Sequence, residues 1–224
     1  MNLSDSIQTI SGIGPMVSKK LEKLEIRTVF DLVHHLPFRY EDRRIITPIK
    51  QIASGNTITV VGVVSEITNE YTKSGKVIQK GELVDESGKI PVIWFNQRYL
   101  PRTIVAGSKI SLYGKADWFG RIKAIISPEI GDIETAGIIV PIYPETNGIT
   151  SKWLRRQVYN LITQHKNELE DPLPKVISDK YDFIPLKEAM SQVHFPDNLE
   201  LAVKAKEKLA FDEVFILQLK NQVR

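Results

Sequence analysis

Cations and aromatic rings, the two side-chain types that hold single-stranded nucleic acid, gather between positions 89 and 127 of this 224-residue chain. Seven basic residues lie there, Lys89, Arg98, Arg102, Lys109, Lys115, Arg121 and Lys123, against one acid, Asp117. The window therefore carries +6 while the whole chain carries +3, and the remainder is net acidic. Trp94, Phe95, Tyr99, Tyr113, Trp118 and Phe119 occupy the same window. Cations neutralise phosphate and any base can stack on a ring, so a cationic groove bearing rings suits a nucleic-acid strand. A β-barrel with an aromatic core and a basic exterior has the same composition, and composition alone does not separate the two.

Within the window, strand alternation puts Ile90, Val92 and Trp94 on one face and Pro91, Ile93 and Phe95 on the other. If the first set fills a barrel, Phe95 points outward at the strand's end. Tyr99 joins it if the following connection opens as a helical turn. Phe95 and Tyr99 are then a stacking platform, with Arg98 and Arg102 beside it; the alternative is that the two rings cap the barrel's open end. Arg98, Arg102, Lys115, Arg121 and Lys123 are the expected phosphate contacts, and Lys73, Lys76 and Lys80 on neighbouring strands are weaker candidates.

Gly12-Ile13-Gly14-Pro15 is a second candidate. Glycines before a helix let backbone N–H groups approach an anion, and the pattern is that of a helix-hairpin-helix. Gly12 and Gly14 are thus a candidate phosphate hairpin; the alternative is a tight turn used only for packing. Catalytic patterns are missing: no phosphate-binding G-x-x-x-x-G-K-[ST], no G-x-S-x-G, no H-E-x-x-H and no dinucleotide glycine fingerprint. His34 and His35 point apart on a helix, so no shared metal is expected. Asp85-Glu86 and Asp212-Glu213 read as a turn and a solvated helix face. No enzyme activity is expected of this stretch of chain, and no cofactor.

The elements that would position these residues follow from periodicity. Residues 1–46 read as a helical, helix-hairpin-helix-like segment: a stripe of Leu3, Ile7 and Ile10, a run carrying Met16, Val17, Leu21 and Leu24, then a helix capped by Thr28 and stopped by Pro37. Residues 47–135 change to strand period, with runs 57–64, 76–84, 89–95, 109–116 and 121–127 separated by turn residues, and a longer connection at 96–108. Five strands with an insertion after the third is the layout of an OB-fold barrel. Residues 136–224 form a proline-bearing connector and helices near 151–164, 186–192 and 198–224. The expected fold is α+β, a five-stranded OB-fold barrel flanked by helical segments. With no cysteine, no membrane-length apolar run and no signal-peptide pattern, a soluble cytoplasmic protein without disulfides is expected.

Several of these motifs, in this order, resemble the N-terminal part of the RecG family of ATP-dependent DNA helicases. They are Gly12-Ile13-Gly14-Pro15, then Leu21 through Leu32, then Leu36-Pro37-Phe38-Arg39-Tyr40-Glu41-Asp42-Arg43, and Trp94-Phe95-Asn96. Ile142-Tyr143-Pro144-Glu145-Thr146-Asn147-Gly148, His194-Phe195-Pro196 and Leu209-Ala210-Phe211-Asp212-Glu213 continue the match. The resemblance covers essentially the whole chain and implies a wedge domain that splits branched DNA, in bacteria and at the nucleoid.

It further implies that two wedge aromatics, matching Phe95 and Tyr99, stack on the bases orphaned at a junction. Motor domains using ATP and magnesium are implied for the parent protein, acting in fork regression, Holliday-junction migration, recombination and repair. This sequence stops at Arg224 without the motor motifs, so a wedge fragment is expected, with Phe211, Phe215 and Leu219 facing the motor. The implied partners are branched DNA and the motor domains, with no membrane. Rival readings are a general single-strand-binding OB module and a protein-interaction module that docks, for example, a single-strand-binding protein.

Overall fold

The computed structural model describes residues 2–72, 75–131, 133, 136–165 and 169–222. The chain divides into two compact units, one of residues 1–41 with 139–224 and one of residues 42–138.

The first unit begins with less helix than the Leu3, Ile7, Ile10 stripe suggests: one 3-10 turn, Ile7–Thr9. Ile7 is buried and the exposed polar neighbours offer no second apolar row, so the spacing serves a plug rather than a helix. Helix α1 (Pro15–Leu21) opens with proline in its first turn, where no N–H is needed. Helix α2 (Val29–His34) has the capping box that Thr28 forecasts. The Asp31 N–H donates to the Thr28 hydroxyl at 3.1 Å, and the Thr28 N–H donates to the Asp31 carboxylate at 2.9 Å. Strand β1 (Arg39–Asp42) follows.

The second unit is the barrel: β2 (Thr57–Val64), β3 (Thr68–Tyr71), β4 (Val77–Asp85), β5 (Gly88–Phe95), helix α3 (Leu100–Thr103), β6 (Lys109–Phe119) and β7 (Ile122–Gly131). The sheet runs β2-β6-β7-β5-β4-β3, and β2 also pairs with β4, which closes the ring. All neighbours are antiparallel except β5 with β7. This is the OB arrangement expected from the strand runs, with the short β3 added at its edge. Closure depends on Gly62, where β2 leaves β6 for β4: a Cβ there would lie 2.6 Å from the Val84 carbonyl oxygen. Inside lie Val60, Leu83, Val92, Trp94, Leu112 and Ile125. The Trp94 indole N–H donates to the Pro128 carbonyl at 3.0 Å, so its burial leaves no donor unpaired.

The chain then returns to the first unit through β8 (Ile139–Ile142), which pairs with β1 in a two-stranded sheet. Helices α4 (Ser151–His165), α5 (Lys175–Tyr181), α6 (Leu186–His194) and α7 (Leu199–Gln222) complete it. Sequence segments 1–46 and 136–224 share one core here, because Ile7, Leu21, Val29 and Leu32 pack with Tyr143, Leu154, Val158 and Met190. Helix α5, between Pro174 and the left-handed Asp182, is an element that periodicity does not announce. Asp212, expected on a solvated face, is buried and paired with Lys208 at 2.6 Å. Phe211 packs on Phe183 and Tyr181, with ring centroids 4.9 and 5.4 Å away, so this ring is already used within the unit.

A histidine at the centre of this core makes stability depend on pH. The His194 ring is fully buried, with Nε2 2.8 Å from the Val33 carbonyl and Nδ1 2.9 Å from the Tyr143 hydroxyl. A carbonyl only accepts, so Nε2 carries the proton and Nδ1 accepts from Tyr143. Burial lowers the His194 pKa to about 4, and His34 and His35 are lowered for the same reason. Unfolded His194 titrates near 6.5, so the stabilisation is complete above that value and is lost as pH falls towards 4. Urea unfolding is expected to show about 2 kcal/mol less stability at about pH 5 than at about pH 7.5 from this residue. His194→Gln should flatten that slope to what the other two histidines contribute; an unchanged slope would refute the assignment.

Candidate nucleic-acid interface

The barrel residues nominated as a platform sit where β5 ends. Ile90, Val92 and Trp94 fill the interior, which turns Phe95 outward, 40% exposed. Ile93, on the outward side, is nevertheless buried. Asn96 then adopts a left-handed conformation (φ 56°), which asparagine tolerates better than most residues, and the strand stops. Its N–H donates to the Val77 carbonyl at 3.2 Å. Three residues later Tyr99, 59% exposed, leads into α3, and the buried Leu100 anchors the turn in the core. The Tyr99 hydroxyl donates to the Gln97 side-chain oxygen at 3.2 Å.

A buried amide holds this turn in place. Gln79 is fully buried; its side-chain N–H donates to Asn69 Oδ1 at 2.7 Å, and its Oε1 accepts the Gln97 backbone N–H at 2.8 Å. Asn69 in turn reaches the Arg98 carbonyl at 3.5 Å. The backbone of residues 96–98 is therefore tied to the barrel between the two rings. Periodicity carried a signal for Gln79: it shares strand parity with Val77 and Leu83, a polar side chain at a core position.

The nominated cations divide into two groups. Arg98, Arg102, Arg121 and Lys76 are exposed, and none has a carboxylate partner among the described residues. Lys80 pairs with Glu70, and Lys115 pairs with Asp117 at 2.9 Å. The Lys115 ammonium, with the Trp118 N–H and the Ser54 hydroxyl, holds the Asp117 carboxyl below the usual range. Exposed pairs of this kind contribute only about 0–1 kcal/mol, so a phosphate competes with them readily. Lys123 is half-buried and donates to the Ile52 carbonyl at 2.6 Å, a structural use that composition does not distinguish from a phosphate contact. Lys73 lies outside the described residues.

Gly12 and Gly14 belong to the other unit. Gly12 needs its glycine (φ 86°), whereas Gly14 caps α1 from ordinary extended backbone (φ −82°, ψ 178°). Between them Ile13 is buried in the core. Met16 and Pro15 are exposed beside it.

Two further rings of the basic window lie at the β6–β7 tip. Phe119, at the β6–β7 tip, lies with its centroid 6.2 Å from that of Phe95, tilted at 55°. Its neighbour Trp118 is 62% exposed. Among the described residues no group of three or more His, Asp or Glu could hold a metal ion, and no helix is long and apolar enough to cross a membrane.

Comparison with known proteins agrees with the fold. The family model described as the RecG wedge domain matches residues 6–164. The ATP-dependent DNA helicase RecG of Thermotoga maritima is 32% identical over 99% of this chain and 29% of its own length. The Bacillus subtilis protein of the same name is 28% identical over 97% of this chain and 32% of its own length. Among solved structures, RecG bound to a three-way DNA junction superposes with a TM-score of 0.81 at 31% identity, covering 98% of this chain and 31% of that one. The chain thus spans about a third of the length of the curated relatives it matches.

Proposed function

The chain belongs to the RecG wedge domain family, and from that premise we propose that it is the branched-DNA-binding wedge of an ATP-dependent DNA helicase. The observation that carries the reading is the turn after β5: two exposed rings, Phe95 and Tyr99, flanked by exposed Arg98 and Arg102 and clamped from within by Gln79. The wedge acts sterically. The barrel blocks the duplex, Arg98, Arg102, Arg121 and Lys76 hold phosphates, and the rings replace stacking that bases lose at the junction. Unstacking costs a few kcal/mol per step, and each ring returns about 1–3 kcal/mol.

For the longer protein we extend the proposal to fork regression, recombination and repair, with ATP and magnesium used by motor domains outside these residues. Those motor domains and a single-strand-binding protein are proposed partners, and a cytoplasmic, nucleoid-associated location goes with them.

Competition anisotropy with a fork, a matching single strand and a plain duplex tests the reading. The fork should compete best, and log K against log salt for the fork should fall with a slope of roughly −3 to −4, as expected for about four phosphate contacts. Equal competition by the single strand would make the chain a general OB module. A slope near zero would make the barrel a protein-docking module.

A further inference from the structure

The β6–β7 tip is an exposed aromatic and cationic element that the platform does not include. Trp118 presents most of its ring to solvent, although a tryptophan of this size ordinarily buries most of its surface. Its backbone is not loose: the Trp118 N–H donates to Asp117 Oδ1 at 2.9 Å. Asp117 is itself tied to Lys115 and to the Ser54 hydroxyl. The turn closes at Gly120 (φ 64°), and Arg121, exposed and without a carboxylate partner among the described residues, follows it. Phe119, between Trp118 and the turn, lies with its ring centroid 6.2 Å from that of Phe95, which ties the backbone of this tip to the platform. An exposed indole on a paired strand, three residues before an exposed guanidinium at the turn, fits a stacked base and its phosphate. The +6 window around it favours a polyanion over an apolar protein groove.

We infer that Trp118 is a second base-stacking site, which takes a nucleotide of the unpaired strand beyond the junction while Arg121 contacts its phosphate. The inference rests on the wedge reading and extends it from the junction to the strand that leaves it.

Binding of wild type, Trp118→Ala and Trp118→Phe to two forks tests this, with circular dichroism confirming the fold. One fork carries an unpaired arm of about ten thymidines, and the other is duplex up to the branch point. Trp118→Ala should weaken the first roughly 5- to 150-fold and leave the second within about threefold, while Trp118→Phe keeps most of the affinity. Oligothymidylate should also quench a fluorescence component in wild type that Trp118→Phe lacks. Equal loss on both forks, or no loss on either, overturns the inference. A wild-type protein that does not prefer forks would instead refute the wedge reading, so the two failures are told apart by the wild type alone.

Discussion

Phe95→Ala combined with Tyr99→Ala is expected to weaken fork binding roughly 30- to 25,000-fold while plain-duplex binding stays within about threefold. The size follows from two exposed rings, each returning about 1–3 kcal/mol on a stacked base. The selectivity follows from what the substitutions leave in place. Arg98, Arg102 and Arg121 still bind phosphate, and phosphate contacts do not distinguish fork from duplex. Both side chains are substantially exposed, so the substitutions should cost the barrel little stability. Phe95 also supports Phe119, so the single Tyr99→Ala variant separates stacking from that contact. Anisotropy with labelled fork and duplex measures the effect. A folded double variant that binds the fork like wild type would make both rings barrel caps.

Lys208→Met should destabilise the helical unit by about 3–5 kcal/mol. The Lys208 ammonium is fully buried, 2.8 Å from Asp171 and 2.6 Å from Asp212. Among the described residues Asp212 Oδ2 has no hydrogen-bond partner. Burial already raises the Asp212 pKa against the opposing pull of Lys208. For Asp171, the Lys208 ammonium and the backbone N–H groups of Leu173 and Leu186 outweigh burial and lower it. Removing the cation strands Asp212 in the core, where it must take a proton or admit water. The double variant Lys208→Met/Asp212→Leu removes both buried charges and should recover most of the loss, since apolar replacement of a buried pair is often neutral. Urea midpoints at constant m-value give the comparison. A loss below about 1 kcal/mol in the single variant would show that the pair contributes nothing net.

These predictions rest on residues of unequal visibility in the sequence. Phe95 is legible by parity, because the alternation of Ile90, Val92 and Trp94 is a property of one strand, whereas Tyr99 follows a left-handed Asn96 rather than the helical turn expected there. Thr28 was found as a cap because its partner Asp31 is three residues away. Lys115 and Lys123 looked alike as cations, yet one pairs with Asp117 beside it and the other points to Ile52, 71 residues back. Asp212 looked solvated because its helix turn also carries exposed residues. Its burial is decided by Lys208 one turn earlier and by Asp171, 37 residues before that.

By itself the amino-acid sequence determined the barrel's strand runs and turns, the outward side of β5 and the basic, aromatic character of the segment after it. All of these follow from period, turn chemistry and charge within short windows. Only the tertiary structure decided that segments 1–41 and 139–224 share a core, and that His194 is held by Val33, 161 residues away. It also decided that Gln79 clamps the platform and that Phe119 meets Phe95. Each of those joins residues far apart along the chain. Such contacts form only when closing the ring or packing the helices offsets the entropy of bringing distant segments together, and no local pattern records them.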